Sequence, residues 1–184
     1  MKPYLAVDSA PNVKSLYLIS FKDITVAEAD ILVGYMNNDA RLNERQKLES
    51  DGHVLTSTEY IHGVEAWCAK KLAHMYAIML ARRPIGTISL VLPVKGRART
   101  GYWLASDYWG QGLGQQAFNL ILQEANRAGA NEIAASIEVS NLPSLNIWRR
   151  LGAHEKASQK AGMTDMVLKL PIDNTVEEVA ACVT

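Results

Sequence analysis

Residues 107–118 read DYWGQGLGQQAF, with glycines at 110, 112 and 114 ahead of an apolar-periodic run. A helix start leaves up to four backbone N–H groups unpaired and carries a partial positive charge. Phosphate oxygens pair with both, and bare glycines let them approach closely. The alternative is a glycine-rich turn with no ligand. A P-loop is excluded, because Gly114 is followed by Gln115-Gln116 where that motif needs Lys-Ser/Thr. The dinucleotide fingerprint G-x-G-x-x-G puts its last glycine on Gln115 or Ala117. Only its Ala variant, counted from Gly112, survives, and the unit does not open a βαβ sheet.

A second chemistry-bearing stretch follows. EVSNLPSLNIWRRLGA (138–153) has Asn141 leaving a strand, Ser144 three residues later and Trp148 one helical turn beyond. Each has a plain reading: Asn141 as a cap, Ser144 as a first-turn residue, Trp148 as core. Glu138 is a carboxylate on the strand before them, also readable as a partly solvated strand residue. His53, His62, His74 and His154 are scattered singly, and no catalytic spacing joins them.

Several elements must position these residues. The 184 residues suit one domain with its own core, 48% hydrophobic and 21% charged. Residues 1–14 read as a loose lead-in, 15–170 as the domain and 171–184 as a peripheral tail or partner contact. A strand at 15–21 precedes a helix at 25–37. The polar stretch 37–52 reads as an exposed connection with room for a short helix. Thr56 and Glu59 stand at capping-box spacing and open a helix to about Leu72, with Ile61, Val64, Trp67 and Cys68 on one face. Strands at 74–81, 85–93 and 97–105 are joined too tightly for crossovers and must form an antiparallel meander. A helix at 113–129 buries Ala117, Phe118, Ile121, Leu122 and Ala125 and stops at Gly129. A strand (132–140), a helix from Pro143 to about Leu151, and two strands (153–159, 164–170) complete the order β-α-α-β-β-β-α-β-α-β-β. That is an α+β fold with a mixed, mostly antiparallel twisted sheet and about four helices.

Lys plus Arg equals Asp plus Glu, 19 each, which gives no electrostatic reason to expect nucleic acid or a membrane as partner. Two cysteines, Cys68 and Cys182, make neither a metal-ligand spacing nor a disulfide framework. No apolar run is long enough to span a bilayer, and no leader-type segment opens the chain, so a cytoplasmic protein is expected.

Taken in series, the two motifs resemble those of the GNAT superfamily of N-acetyltransferases over about residues 15–170. That family's acyl-CoA loop has the form Gln/Arg-x-x-Gly-x-Gly/Ala. Gln111-Gly112-Leu113-Gly114 supplies its glycines, and Trp109 stands at the usual Gln/Arg position. The second family segment, Asn-x-x-Ala/Ser with a later Tyr before Leu-Gly-Phe, matches NLPSLNIWRRLGA, with Trp148 for the Tyr and Ala153 for the Phe. IGTISL followed by GYWLASDYWGQGLG is most similar to the branch that acetylates ribosomal-protein N-termini, where Trp-Gly in the loop and Ser three after the Asn are common.

The resemblance implies direct attack of an amine on acetyl-CoA in a ternary complex, with no metal. It implies that N–H groups of Gln111, Gly112, Leu113, Gly114, Gln115 and Gln116 hold the pyrophosphate. Leu104 and Ala105 then pair with the pantetheine arm and offer an N–H to the thioester carbonyl. Asn141 bonds the pantetheine, Ser144 donates to the departing sulfur, and Glu138 is the candidate base. An indole cannot replace the missing phenol as an acid. The expected acceptor is a peptide or protein N-terminal amine. A polyamine or aminoglycoside is the alternative, as is a non-catalytic acyl-CoA sensor. A homodimer is left open.

Overall fold

The computed structural model describes residues 15–46 and 53–171, so the expected lead-in, residues 47–52 and nearly all of the expected tail lie outside the described residues. The chain runs β1 (Leu16–Ser20), α1 (Val26–Asn38), α2 (Ala40–Gln46), α3 (Ser57–Lys71), β2 (Ala73–Leu80), β3 (Arg83–Val94), β4 (Arg97–Leu104), α4 (Leu113–Arg127), β5 (Glu132–Glu138), α5 (Leu142–Arg150), β6 (His154–Ala157) and β7 (Met163–Lys169). The expected order holds with one helix added. That helix, α2, buries only Leu42, and so shows no apolar stripe in sequence. Both α1 and α3 open with complete capping boxes, Thr25 with Glu28 and Thr56 with Glu59. Each box pairs two backbone N–H groups and fixes where the helix begins.

The seven strands lie in the order β1-β2-β3-β4-β5-β7-β6. All neighbours are antiparallel except β4 and β5, whose link is the α4 crossover. That parallel pairing spans only Arg97↔Glu132 to Arg99↔Ala134. Beyond it, β4 stays paired to β3 as far as Leu104↔Gly86, and β5 to β7 as far as Glu138↔Met163. The sheet therefore opens between β4 and β5 without either strand losing its outer neighbour.

Each face of the sheet has its own core. On one, α4 and α5 bury Phe118, Ile121, Leu145 and Trp148 against Ile88, Leu90 and Ile133. The five apolar α4 positions expected from spacing are all buried there. On the other, Leu32 of α1 and Val64 of α3 cover Ala77 and Met79. Of the expected α3 face, only Val64 is buried. Trp67 stays half-exposed because it borders the cavity described below. No helix among the described residues is long and apolar enough to cross a membrane.

Candidate active site

The opened edge of β4 has a defined phase. The Ala105 N–H donates to the Ile85 carbonyl at 2.9 Å, and Gly86 lies opposite Leu104. In an antiparallel ladder, bonded and non-bonded residues alternate. Trp103 therefore bonds to Thr87, while Tyr102 and Leu104 turn their N–H and C=O toward β5. The Leu104 carbonyl accepts the Trp109 indole N–H at 2.8 Å. Trp109 at the usual Gln/Arg position thus closes the strand end onto the glycine loop. This corrects the expectation for Ala105: its N–H is already spent on Ile85, and the N–H that faces the gap belongs to Leu104.

Beside that edge, α4 begins at Gly112, with no side-chain cap. Gly110 and Gly112 both sit at φ +74°, and a Cβ built on either meets nothing within 4 Å. Side chains are disfavoured there by the left-handed backbone, and there is open space beside the loop. The N–H groups of Leu113, Gly114 and Gln115 lie in the unpaired first turn. The Gln116 N–H is not among them, since it donates to the Gly112 carbonyl at 3.2 Å. The Gln111 side chain folds back onto the Asp107 carbonyl at 2.8 Å. Gly114 is bare for another reason: a Cβ there would lie 3.1 Å from the Tyr102 hydroxyl and 3.4 Å from Ile147. Its smallness serves packing within the protein. An uncapped helix start over open space fits a phosphate group.

Asn141 caps α5, its side-chain oxygen accepting the Ser144 N–H at 3.3 Å. That leaves the amide NH2 as its donor toward the cavity it borders. Trp148 is 1% exposed and packs on Phe118 with ring centroids 4.6 Å apart, so it is core. Ser144 meets the Tyr102 phenol in a hydrogen-bond contact. Burial pushes the Tyr102 pKa up, and the bond with Ser144 offsets only part of that, so the phenol keeps its proton at neutral pH. Tyr102 was absent from the sequence-derived candidates. The available signal was period two: Ala98, Tyr102 and Leu104 share the face packed by α4 and α5.

Glu138 ends β5 on the opposite face from Ile133, Ala135 and Ile137, and accepts the Ser140 hydroxyl at 3.4 Å. The structure brings Glu138, Ser144, Asn141, Leu104 and the glycine loop to one cavity of about 1310 Å³ that passes through the β4–β5 gap. Ala105, Gln111 and Gln116 do not border it. Single-ligand pockets run roughly 300–1,000 Å³, so there is room for two substrates at once. One lobe lies under α4 and α5. The other lies under α1–α3, where Tyr60 hydrogen bonds Thr87 and Trp103. Burial pushes the Tyr60 pKa up to about 12. No histidine borders the cavity.

Asp39, between α1 and α2, ties that second lobe to the β4 end. Its carboxylate accepts the Leu42 N–H at 3.0 Å and the Ser106 N–H at 2.6 Å. Burial pushes its pKa up, but the bonds from Ser106 and Leu42 outweigh that and leave it lowered.

Comparison with known proteins places this geometry. The chain superposes on RimL, a ribosomal L7/L12 α-N-protein acetyltransferase solved with coenzyme A, with TM-score 0.70 and 20% identity over 93% of this chain and 100% of that one. The aminoglycoside acetyltransferase AAC(6')-Ib with coenzyme A gives 0.67 and 18%, over 85% and 95%. The PseH N-acetyltransferase of Campylobacter jejuni, solved with acetyl coenzyme A, gives 0.62 and 14%, over 85% and 100%. These identities speak for the fold. No curated protein matches the chain in sequence. The model of the acetyltransferase (GNAT) domain matches residues 21–154. With most of its length in that match, and the sheet opened beside an uncapped helix start, the chain belongs to the GNAT acetyltransferase family.

Proposed function

We propose that this protein transfers an acetyl group from acetyl-CoA to the α-amine of a peptide or protein N-terminus. The observation that carries the donor assignment is the β4–β5 gap, walled by an unpaired strand edge and closed by the uncapped start of α4. Leu113, Gly114 and Gln115 would hold the pyrophosphate through backbone N–H groups. The edge of β4 and the Asn141 amide would hold the pantetheine arm.

The thioester supplies an activated carbonyl carbon and a good leaving group. The Leu104 N–H would donate to the carbonyl oxygen as it gains negative charge. Attack forms the N–C bond and breaks the C–S bond. The Ser144 hydroxyl donates toward the sulfur, the Tyr102 phenol behind it orients that hydroxyl while keeping its own proton, and the departing thiolate takes its proton from water. The amine must lose a proton; Glu138, on the acceptor side of the sheet, is the carboxylate that would take it, directly or through water. With no histidine in the cavity, an amine that deprotonates readily is favoured. An α-amine has a pKa near ~8, against ~10.4 for a lysine side chain.

The test is thiol release from acetyl-CoA with peptides bearing free N-termini, alongside spermidine and kanamycin. Turnover of the peptides is expected. Turnover of the small polycations with none on peptides would move the acceptor class. Thermal stabilisation by acetyl-CoA with no turnover on any amine would make the protein a non-catalytic acyl-CoA binder.

A further inference from the structure

Resting on the peptide-acceptor reading, the geometry of the α1–α3 lobe points to an N-terminal residue with a large apolar side chain. Met36, Leu55, Tyr60, Trp67, Met75 and Trp103 border this lobe, and each is half-buried. The polar atoms of the wall are occupied. Thr87 is 2% exposed, and both its hydroxyl and the Trp103 indole are directed to the Tyr60 phenol. A hydroxylated or polyamine acceptor would give up water here and find few partners in return. An aromatic or branched side chain would lose water to rings and thioethers.

Charge points the same way. Among the described residues, the charged groups bordering the cavity are Glu59 and Glu138 with Arg45 and Arg150, which cancel. The Glu59 carboxylate is further engaged, by the Thr56 N–H and hydroxyl and by His53 at 3.4 Å. Among the described residues, no excess of carboxylate favours several ammonium groups over one. Arg45, Gln46 and Glu59 make one margin of the lobe polar, which suits the peptide backbone that follows the first residue. Gly63 leaves room along the same wall. It lies within α3 and borders the cavity, and a Cβ built there meets nothing within 4 Å.

The experiment measures kcat/KM for one peptide series differing only in its first residue: Gly, Ser, Ala, Leu, Met and Phe. Leu, Met and Phe should exceed Gly, Ser and Ala by ~10–100-fold, the range that apolar pockets achieve. Gly63→Leu adds bulk to open space at ordinary helical backbone. It should lower Phe- and Leu-first turnover more than Ala-first turnover, so that the ratio falls, with the melting temperature retained. Trp67→Ala should shrink the same preference by removing the wall. Turnover led by Gly-, Ser- or Ala-first peptides, or a preference that neither variant changes, overturns this inference and leaves the peptide-acceptor reading standing. Absence of turnover on every peptide, with stabilisation by acetyl-CoA retained, overturns both.

Discussion

At the scale of single residues, the loop glycines divide by physical role. Gly112 needs its left-handed backbone, and a side chain there costs roughly 1–2 kcal/mol of strain. Gly112→Val should therefore weaken acetyl-CoA binding in a titration, in a protein that still folds. Gly114→Ala is expected to act differently. Its Cβ would press the Tyr102 hydroxyl 3.1 Å away and shift it from Ser144, so kcat should fall more than cofactor affinity. The hydroxyl pair makes its own prediction. Ser144→Ala should lower kcat on the order of 10–100-fold, as for loss of a bond to a developing charge at ~1.5–3 kcal/mol. Tyr102→Phe removes a bond between neutral hydroxyls, worth ~0.5–1.5 kcal/mol, and should lower kcat about 2–10-fold with cofactor affinity kept. Wild-type rates in both variants, measured by steady-state kinetics, would mean that water alone attends the departing sulfur.

At the scale of elements, α1 and α2 are held to the end of β4 by one carboxylate. Asp39 accepts two backbone N–H groups, from Leu42 and Ser106. Asp39→Ala should cost about 1.5–3 kcal/mol of stability, the range for bonds to a charged group, and should raise the acceptor KM more than the acetyl-CoA KM. The pH dependence follows from the lowered pKa. A carboxyl whose folded pKa lies below its unfolded value of ~3.9 contributes fully above that value. The contribution is lost as pH falls through the folded value. The stability gap between wild type and Asp39→Ala, read by urea unfolding, should therefore be constant from pH 8 to 5 and shrink below about pH 4. A gap that widens in acid would mean Asp39 is not the anchor.

At the scale of the whole molecule, the cavity joins two lobes through the sheet, and each lobe belongs to a different helical layer. Saturating acetyl-CoA should raise the melting temperature. At 100 times Kd the gain is about 2.7 kcal/mol, or ~5–10 °C for a chain of this size. The acceptor sets the pH profile. With an α-amine, kcat/KM should rise between about pH 7 and 8.5 and then level off as the amine becomes fully neutral. A profile still climbing steeply past pH 9.5 would indicate a lysine-type amine.

Local signals by themselves determined the element order, the α4 core face, the capping box of α3 and the two motifs that resemble the GNAT family. Each depends on residues within a few positions of one another, through helical period, capping geometry or the left-handed preference of glycine. The polar helix α2 was faint because a seven-residue helix burying only Leu42 leaves no periodic trace. What tertiary structure decided were relations between distant segments. Which N–H faces the gap depended on the phase of β4 against β3, which left Leu104 available and Ala105 occupied. That Tyr102 reaches Ser144, 42 positions along the chain, and that Trp67 borders a cavity instead of a core, followed only once the sheet had opened and both helical layers had packed. Periodicity says that a side chain leaves water; it does not say which partner, or which substrate, replaces the water.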